Sequence, residues 1–270
     1  MRAHVLGMGL WMPGFPDAAS WLSGRAVEGA DTPNAQSKQR RRSSLLVNMV
    51  ADVAAQASAA AGVPLSRLRV VVGSAFGELT TLVEMLEERE RDGLLSPLRF
   101  QNSVHNSAAG QLSIASKNKA PAMSMAAGND TVAMVLLEAM TLLALGGDEV
   151  LAIVADEPLP EAILPGLRTA PVAAALVLAA DGGANESGRS LAAAQPSPAV
   201  LEDLLHTPAV PDAPDRPQEV DSPCAAILPL IAALGHGRSG RVNVSPTEDP
   251  RWSIMVRDAR MVRDAHTVRA

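Results

Sequence analysis

The sequence predicts a layered α/β fold, on the strength of three observations. From Met1 to about Asp181, runs of β-branched and small aliphatic residues alternate with segments of helical periodicity, the order that builds a largely parallel sheet between helices. Apolar residues make up 47% of the 270, mostly Ala, Leu and Val, with three Phe, three Trp and no Tyr. Small side chains suit closely stacked layers better than an aromatic-lined barrel. The length allows one large domain or two small ones and the burial of a sizeable core.

Taken in order, Val5 to Leu10 reads as a first strand, ended by the turn formers Met12-Pro13-Gly14. Ser43 is placed to cap a helix whose Leu45, Leu46, Met49, Val50, Val53 and Ala57 share one face, and Gly62-Val63-Pro64 stops it. Val70-Val71-Val72 is the centre of a buried strand. After Gly77 comes a helix with Leu79, Leu82, Val83 and Leu86 inward and Glu84, Glu87 and Glu88 outward, ending at Asp92-Gly93. Leu95 to Gln101 is expected to be loop, and Ser103 to Ser116 a polar helix. A strand of small residues, Ala120 to Ala127, precedes a strongly apolar helix from Asp130 to Leu145. Glu149 to Ala155 and Val172 to Ala180 read as two more buried strands.

Composition changes after Asp181. Pro208, Pro211, Pro214, Pro217 and Pro223 punctuate an extended connection, followed by one helix, Ala225 to Leu234, and one strand, Trp252 to Val256. The expected organisation is a core over 1–181, with 182–270 adding that connection and two elements to the same domain. MVRDA at Met255 to Ala259 recurs at Met261 to Ala265, too short and too few for a repeat architecture.

Several function classes lose support at this level. A formal charge of −6 gives no footprint for nucleic acid. The one basic run, Lys38 with Arg40, Arg41 and Arg42, reads either as a solvated lead-in to the next helix or as a docking spot for an acidic carrier or phosphate. Cys224 is the single cysteine, so an internal disulfide and a multi-thiolate metal site are ruled out, and it is expected to be buried and structural. The five histidines have no metal-ligand spacing, and neither metal nor cofactor is expected. Gly7-Met8-Gly9 lacks the third glycine of a dinucleotide fingerprint, which would fall at Met12. The N-terminus lacks a cleavage pattern, no apolar stretch reaches the roughly 18 residues of a membrane span, and a cytoplasmic location is expected.

Three segments carry a resemblance. Val71 to Gly77 reads VVGSAFG, Phe100 to Ile114 reads FQNSVHNSAAGQLSI, and Ser124 to Ala139 reads SMAAGNDTVAMVLLEA. In order and spacing they resemble the N-terminal half of β-ketoacyl synthases of the thiolase-like fold. They are closer still to the truncated synthase-like proteins, relatives of chain-length factors, of polyene and aryl-polyene pathways. The resemblance implies a thiolase-like layered α/β/α fold, truncated, with a mixed, mostly parallel sheet. In active members the small-residue strand leads to a cysteine at the start of a buried helix, where its thiol accepts an acyl group. Here that stretch, with the lost nucleophile position near Ala127, Gly128 and Asn129, contains no cysteine. The two histidines of the family's C-terminal half, which stabilise the enolate oxygen, have no counterpart either; His236, in Gly-His-Gly, reads as a loop histidine.

The resemblance therefore implies a non-catalytic, chain-length-factor-like subunit. It would pair with a catalytic β-ketoacyl synthase, meet acyl carrier protein through that complex, and shape the acyl tunnel. Residues expected at the partner interface or tunnel are Phe100, Val104, His105, Asn106, Ala108, Ala109, Gln111, Asn129 and Asp130. Asn129 is either the amide that replaces the nucleophile or, with Asp130, a helix cap. Ser103 to Gln111 is either the packed contact segment or an ordinary surface helix. The competing functions are a stand-alone malonyl-carrier decarboxylase and an acyl-binding homodimer.

Overall fold

The computed structural model describes residues 1–34, 43–163, 165, 169–180, 199–206, 222–246 and 251–258. The basic run, the Pro-rich connection and the second MVRDA copy lie outside them. The chain runs β1 (Arg2–Trp11), α1 (Ala18–Leu22), α2 (Leu45–Ala61), β2 (Arg69–Gly73), α3 (Leu79–Asp92), α4 (Pro97–Asn102), α5 (Ser107–Ala115), β3 (Ala122–Met125), α6 (Thr131–Ala144), β4 (Glu149–Asp156), β5 (Val172–Ala180), β6 (Ala199–His206), α7 (Leu228–Gly235), β7 (Gly240–Asn243) and β8 (Trp252–Asp258). Short 3-10 turns occupy Leu65–Arg67, Gly128–Asp130 and Pro223–Ile227.

The strands form one 8-stranded sheet in the order β3-β2-β4-β5-β1-β6-β8-β7. Pairing is parallel between β3, β2 and β4 and antiparallel from β4 through to β7. β1, β2, β3, β4 and β8 consequently point one way and β5, β6 and β7 the other. The mixed sheet has one predominant direction.

Both faces of the sheet's centre are covered. On β4, Leu151, Ile153 and Ala155 pack under α2 and α5, whereas Val150, Ala152 and Val154 pack under α6 and the Pro223–Ile227 turn. β5 alternates in the same way. This period-two split of an almost wholly apolar run is what a strand buried on two faces requires, and it defines the α/β/α layers.

The Gly7-Met8-Gly9 pair is a packing device. A Cβ on Gly9 would lie 2.4 Å from the Val53 carbonyl oxygen, and one on Gly7 would lie 2.5 Å from that of Ala57. Without Cβ atoms there, α2 can lie directly on the β1 backbone. Ser44, one residue after the expected Ser43, caps α2 by accepting from Val47 N at 3.1 Å, and the helix ends on Gly62 at φ 64.

Several elements differ from expectation. Leu95 to Gln101 is not loop, because Ser96 and Pro97 start the short helix α4. The polar helix begins at Ser107 rather than Ser103. The expected helix at Ala225 is a 3-10 turn that becomes α7 only at Leu228. β6, unforeseen in the sequence, carries Glu202 in its middle and a register shift between Glu202 and Leu205, with Asp203 at φ 51. Burial works to raise the Glu202 pKa, but Arg257 and Arg2 on the flanking strands outweigh it, so its carboxyl sits below the usual range.

Candidate functional site

The C-terminal ends of β2, β3 and β4 point the same way, and the buried side chains of Ser74, Glu78, Thr131, Asp156, Glu157 and Ser222 gather there, as ligand-facing groups do in open α/β sheets. At the end of β3, Met125 leads through Ala126 and Ala127 into the 3-10 turn Gly128–Asp130 and then α6. This is the strand–turn–helix position expected for a nucleophile. Gly128 takes φ 54, and Gly128 and Asn129 are exposed. Beneath the turn, a Cβ on Gly73 would lie 2.3 Å from Val135 Cγ2, so glycine at the end of β2 lets α6 approach.

Helix capping is not the role of Asp130, which makes no side-chain cap bond. Thr131 ties the turn instead, its Oγ1 accepting from Ala127 N at 3.1 Å and donating to Gly128 O at 2.7 Å. Asp130 pairs with Arg251, just before β8, at 3.4 Å. An ion pair thus stands beside the turn, which also packs against the Pro223–Ile227 turn that carries Cys224. Cys224 is fully buried, and burial first and then the neighbouring Asp156 push its thiol well above the usual range, so it stays protonated.

Asp156, at the tip of β4, organises the region. Its Oδ1 accepts from Ser74 Oγ and Ala75 N, both at 2.8 Å, and its Oδ2 from Ser222 Oγ at 2.6 Å and Cys224 N at 3.2 Å. One wholly buried carboxylate thereby holds the β2–α3 turn and the start of the C-terminal segment together. Next to it are two more buried acids. Glu78 accepts from Ser44 Oγ at 2.8 Å and Thr81 Oγ1 at 3.0 Å, bridging the starts of α2 and α3. Burial, with Glu157 nearby, lifts its pKa to about 7. Glu157 accepts from Thr80 N at 3.1 Å and is also raised, chiefly by burial.

His105 joins this region to the expected interface. Its Nε2 donates to Ser74 O at 3.1 Å, and its ring covers Gly77, where a Cβ would come within 2.7 Å of it. Phe100, Val104 and Asn106 are exposed on the same stretch. Gln111 turns inward, donating to Asn102 Oδ1 and Ser107 Oγ and accepting from Ser43 Oγ. Ala108 and Ala109, expected to line a tunnel, are instead buried in the chain's own core among residues of α2. The face of α5 that carries them is the one turned towards α2, so enlarging them would overfill this core.

Asp156, Glu78, Glu157 and Arg251 were not singled out from the sequence. A signal was present for two of them: the Asp-Glu pair directly follows the apolar run VLAIVA, which puts two carboxylates at the C-terminal end of a buried strand.

The family described as beta-ketoacyl synthase, N-terminal domain, matches residues 19–225, and the chain belongs to it. The chain is similar in structure to one from a ketosynthase in complex with its chain length factor from Xenorhabdus doucetiae, at 20% identity and a TM-score of 0.67 over 94% of this chain and 99% of that one. It is similar to the ishigamide ketosynthase/chain length factor at 15% identity and a TM-score of 0.57, covering 77% and 67%. A beta-ketoacyl synthase from Burkholderia phymatum gives 16% and 0.58, covering 76% and 64%. No curated protein matches in sequence. The fold is thus the thiolase-like one of the ketosynthases.

Proposed function

We propose that this chain is a chain-length-factor-like subunit. It pairs with a catalytic β-ketoacyl synthase, meets acyl carrier protein through that complex, and helps to wall the acyl channel in a polyene- or polyketide-type pathway. The observation that carries the reading is the β3–α6 turn. There Ala126-Ala127-Gly128-Asn129-Asp130 carries no cysteine where the resemblance puts the family's acyl acceptor, and the chain's one thiol, in the adjoining Pro223–Ile227 turn, is fully buried and held protonated. Support comes from solved complexes in which the same fold stands beside a ketosynthase. The exposed apolar residues of α4 and its surroundings, Leu94, Leu95, Leu98 and Phe100, add to it, since such a patch marks a surface that a partner covers.

The test is condensation of acyl- and malonyl-carrier substrates by the purified chain, followed by mass spectrometry of carrier-bound products. No product is expected from the wild type, nor from Ala127→Cys, Gly128→Cys or Asn129→Cys, because a thiol alone does not stabilise the enolate oxygen. Condensation by the chain alone would overturn the reading. Malonyl turnover without condensation would favour a decarboxylase.

A further inference from the structure

A buried pair of carboxylates lies at the foot of the helical hairpin formed by α3 and α4. We propose that Glu78 and Glu157 form a proton-held latch, which fixes this hairpin to the body of the chain and frees it when the proton is lost.

The hairpin has few other holds. α3 buries only Met85, and it packs chiefly on α4, to which Glu84 and Glu88 tie it through Arg99 at 3.0 and 3.1 Å. The two helices are thus joined to each other more firmly than to the sheet. The chain leaves the body at Glu78 and returns at His105, whose ring covers Gly77 and whose Nε2 donates to Ser74 O. Both feet of the hairpin therefore stand at one junction, where α2 begins and β4 ends.

The two carboxylates make that junction, and they are only 2% and 4% exposed. Glu78 accepts from Ser44 Oγ, at the start of α2, and from Thr81 Oγ1, in α3. Glu157, directly after β4, accepts from Thr80 N of α3 and faces the N–H of Leu46 in α2. Together they connect α3 to the two elements beneath it.

The charges around the pair are of one sign. Glu78 feels Glu157, and Glu157 feels Glu84 on α3. Asp156, the neighbour on β4, is a third acid, already supplied with four donors. From the α4–α5 side the one titratable group is His105, which is engaged with Ser74 O. Among the described residues neither Glu78 nor Glu157 bonds a cation. Two carboxylates buried together without a cation do not both ionise, so the closed junction keeps a proton. Glu78 holds it, raised by burial, with Glu157 adding, from 4.5 to about 7. A raised folded-state value means that the latch is fully closed below about pH 4.5 and is lost as pH rises through about 7.

The latch is a property of this chain alone. Its use rests on the subunit reading above: the hairpin carries Leu94, Leu95, Leu98 and Phe100, so pH sets how firmly they are presented to a synthase.

Hydrogen–deuterium exchange of the full chain without a synthase, read as protection factors from pH 5 to pH 7.5, tests the latch. Protection over 79–102 is expected to fall about tenfold or more, while α6 keeps its protection. Glu78→Gln should flatten the fall, and Glu157→Gln should reduce it. His105→Gln should leave it in place, which separates the carboxylates from the histidine. Constant protection of the hairpin in the wild type overturns the proposal, as does an equal fall across α6. A fall that survives Glu78→Gln, or one abolished by His105→Gln, overturns it as well. If Glu78→Gln does not fold, the contrast between hairpin and α6 in the wild type and in Glu157→Gln decides. A hairpin that loosens as expected in a chain that pairs with no synthase upholds the latch and removes only its use.

Discussion

Helices α2 and α3 both look amphipathic in sequence, and the fold treats them differently. α2 is sealed between the sheet and α5, with Leu46, Met49, Val50, Val53 and Ala57 buried. α3 buries only Met85, and Leu86, expected to face inward, is 49% exposed. Just past α3, Leu94, Leu95, Leu98 and Phe100 are exposed as well. Periodicity reports that a helix has an apolar face, not what covers it. On the α2 side the chain covers its own core, and on the α3–α4 side no described residue covers these apolar side chains.

Substitution on the two sides should separate them sharply. Gly9→Val forces a side chain onto the α2 backbone and should cost about 3 kcal/mol or more. Phe100→Ser on the open side should change stability by only about 0.5 kcal/mol. Urea unfolding of both variants checks this, and similar losses at both positions would remove the contrast.

Asp156→Ala should come close behind. It deprives two buried hydroxyls and two backbone N–H groups of their acceptor, for a loss of roughly 3 kcal/mol. The loss should be accompanied by faster hydrogen exchange at both Ala75 and Cys224. Faster exchange at only one would mean that the carboxylate does not join the two segments.

How much of this was legible follows from what each residue answers to. The strands of the sheet's centre and helices α2 and α6 were readable because their apolar runs respond to burial within this chain. The glycine pair on β1 was visible but uninterpretable, since only the helix lying on it explains it. β6 escaped notice because Glu202 and Asp203 break its apolar pattern, and arginines on neighbouring strands, distant in sequence, make that tolerable. The β3–α6 turn was singled out only through family resemblance. The Asp156 hub was not, because it joins residues from Ser74 to Cys224. Ala108 and Ala109 were misplaced because small residues fit a channel wall and a close helix–helix contact equally well.

A smaller effect tests the junction between the two helices. Glu78 has a folded-state pKa of about 7, above its ordinary value of 4.5. Its proton is held more tightly in the folded chain, so the associated stability is fully present below about pH 4.5 and is lost as pH rises through about 7. Glu78→Gln should flatten that slope and gain about 2 kcal/mol over the wild type at pH 8. Thermal melts across this window check it, and an unchanged slope would show that Glu78 titrates normally.

The central claim is that the open side is where a catalytic synthase binds. Co-expression with a candidate ketoacyl synthase, followed by size-exclusion chromatography with light scattering, tests it most directly. The account predicts one heterodimer peak for the wild type. Phe100→Glu should yield two separate species with the fold of each intact, because an unpaired charge in a desolvated interface typically costs several kcal/mol. His105→Glu should behave alike, with its Ser74 contact also lost. A wild-type chain that elutes apart from every synthase offered, or a Phe100→Glu variant that associates normally, would contradict it.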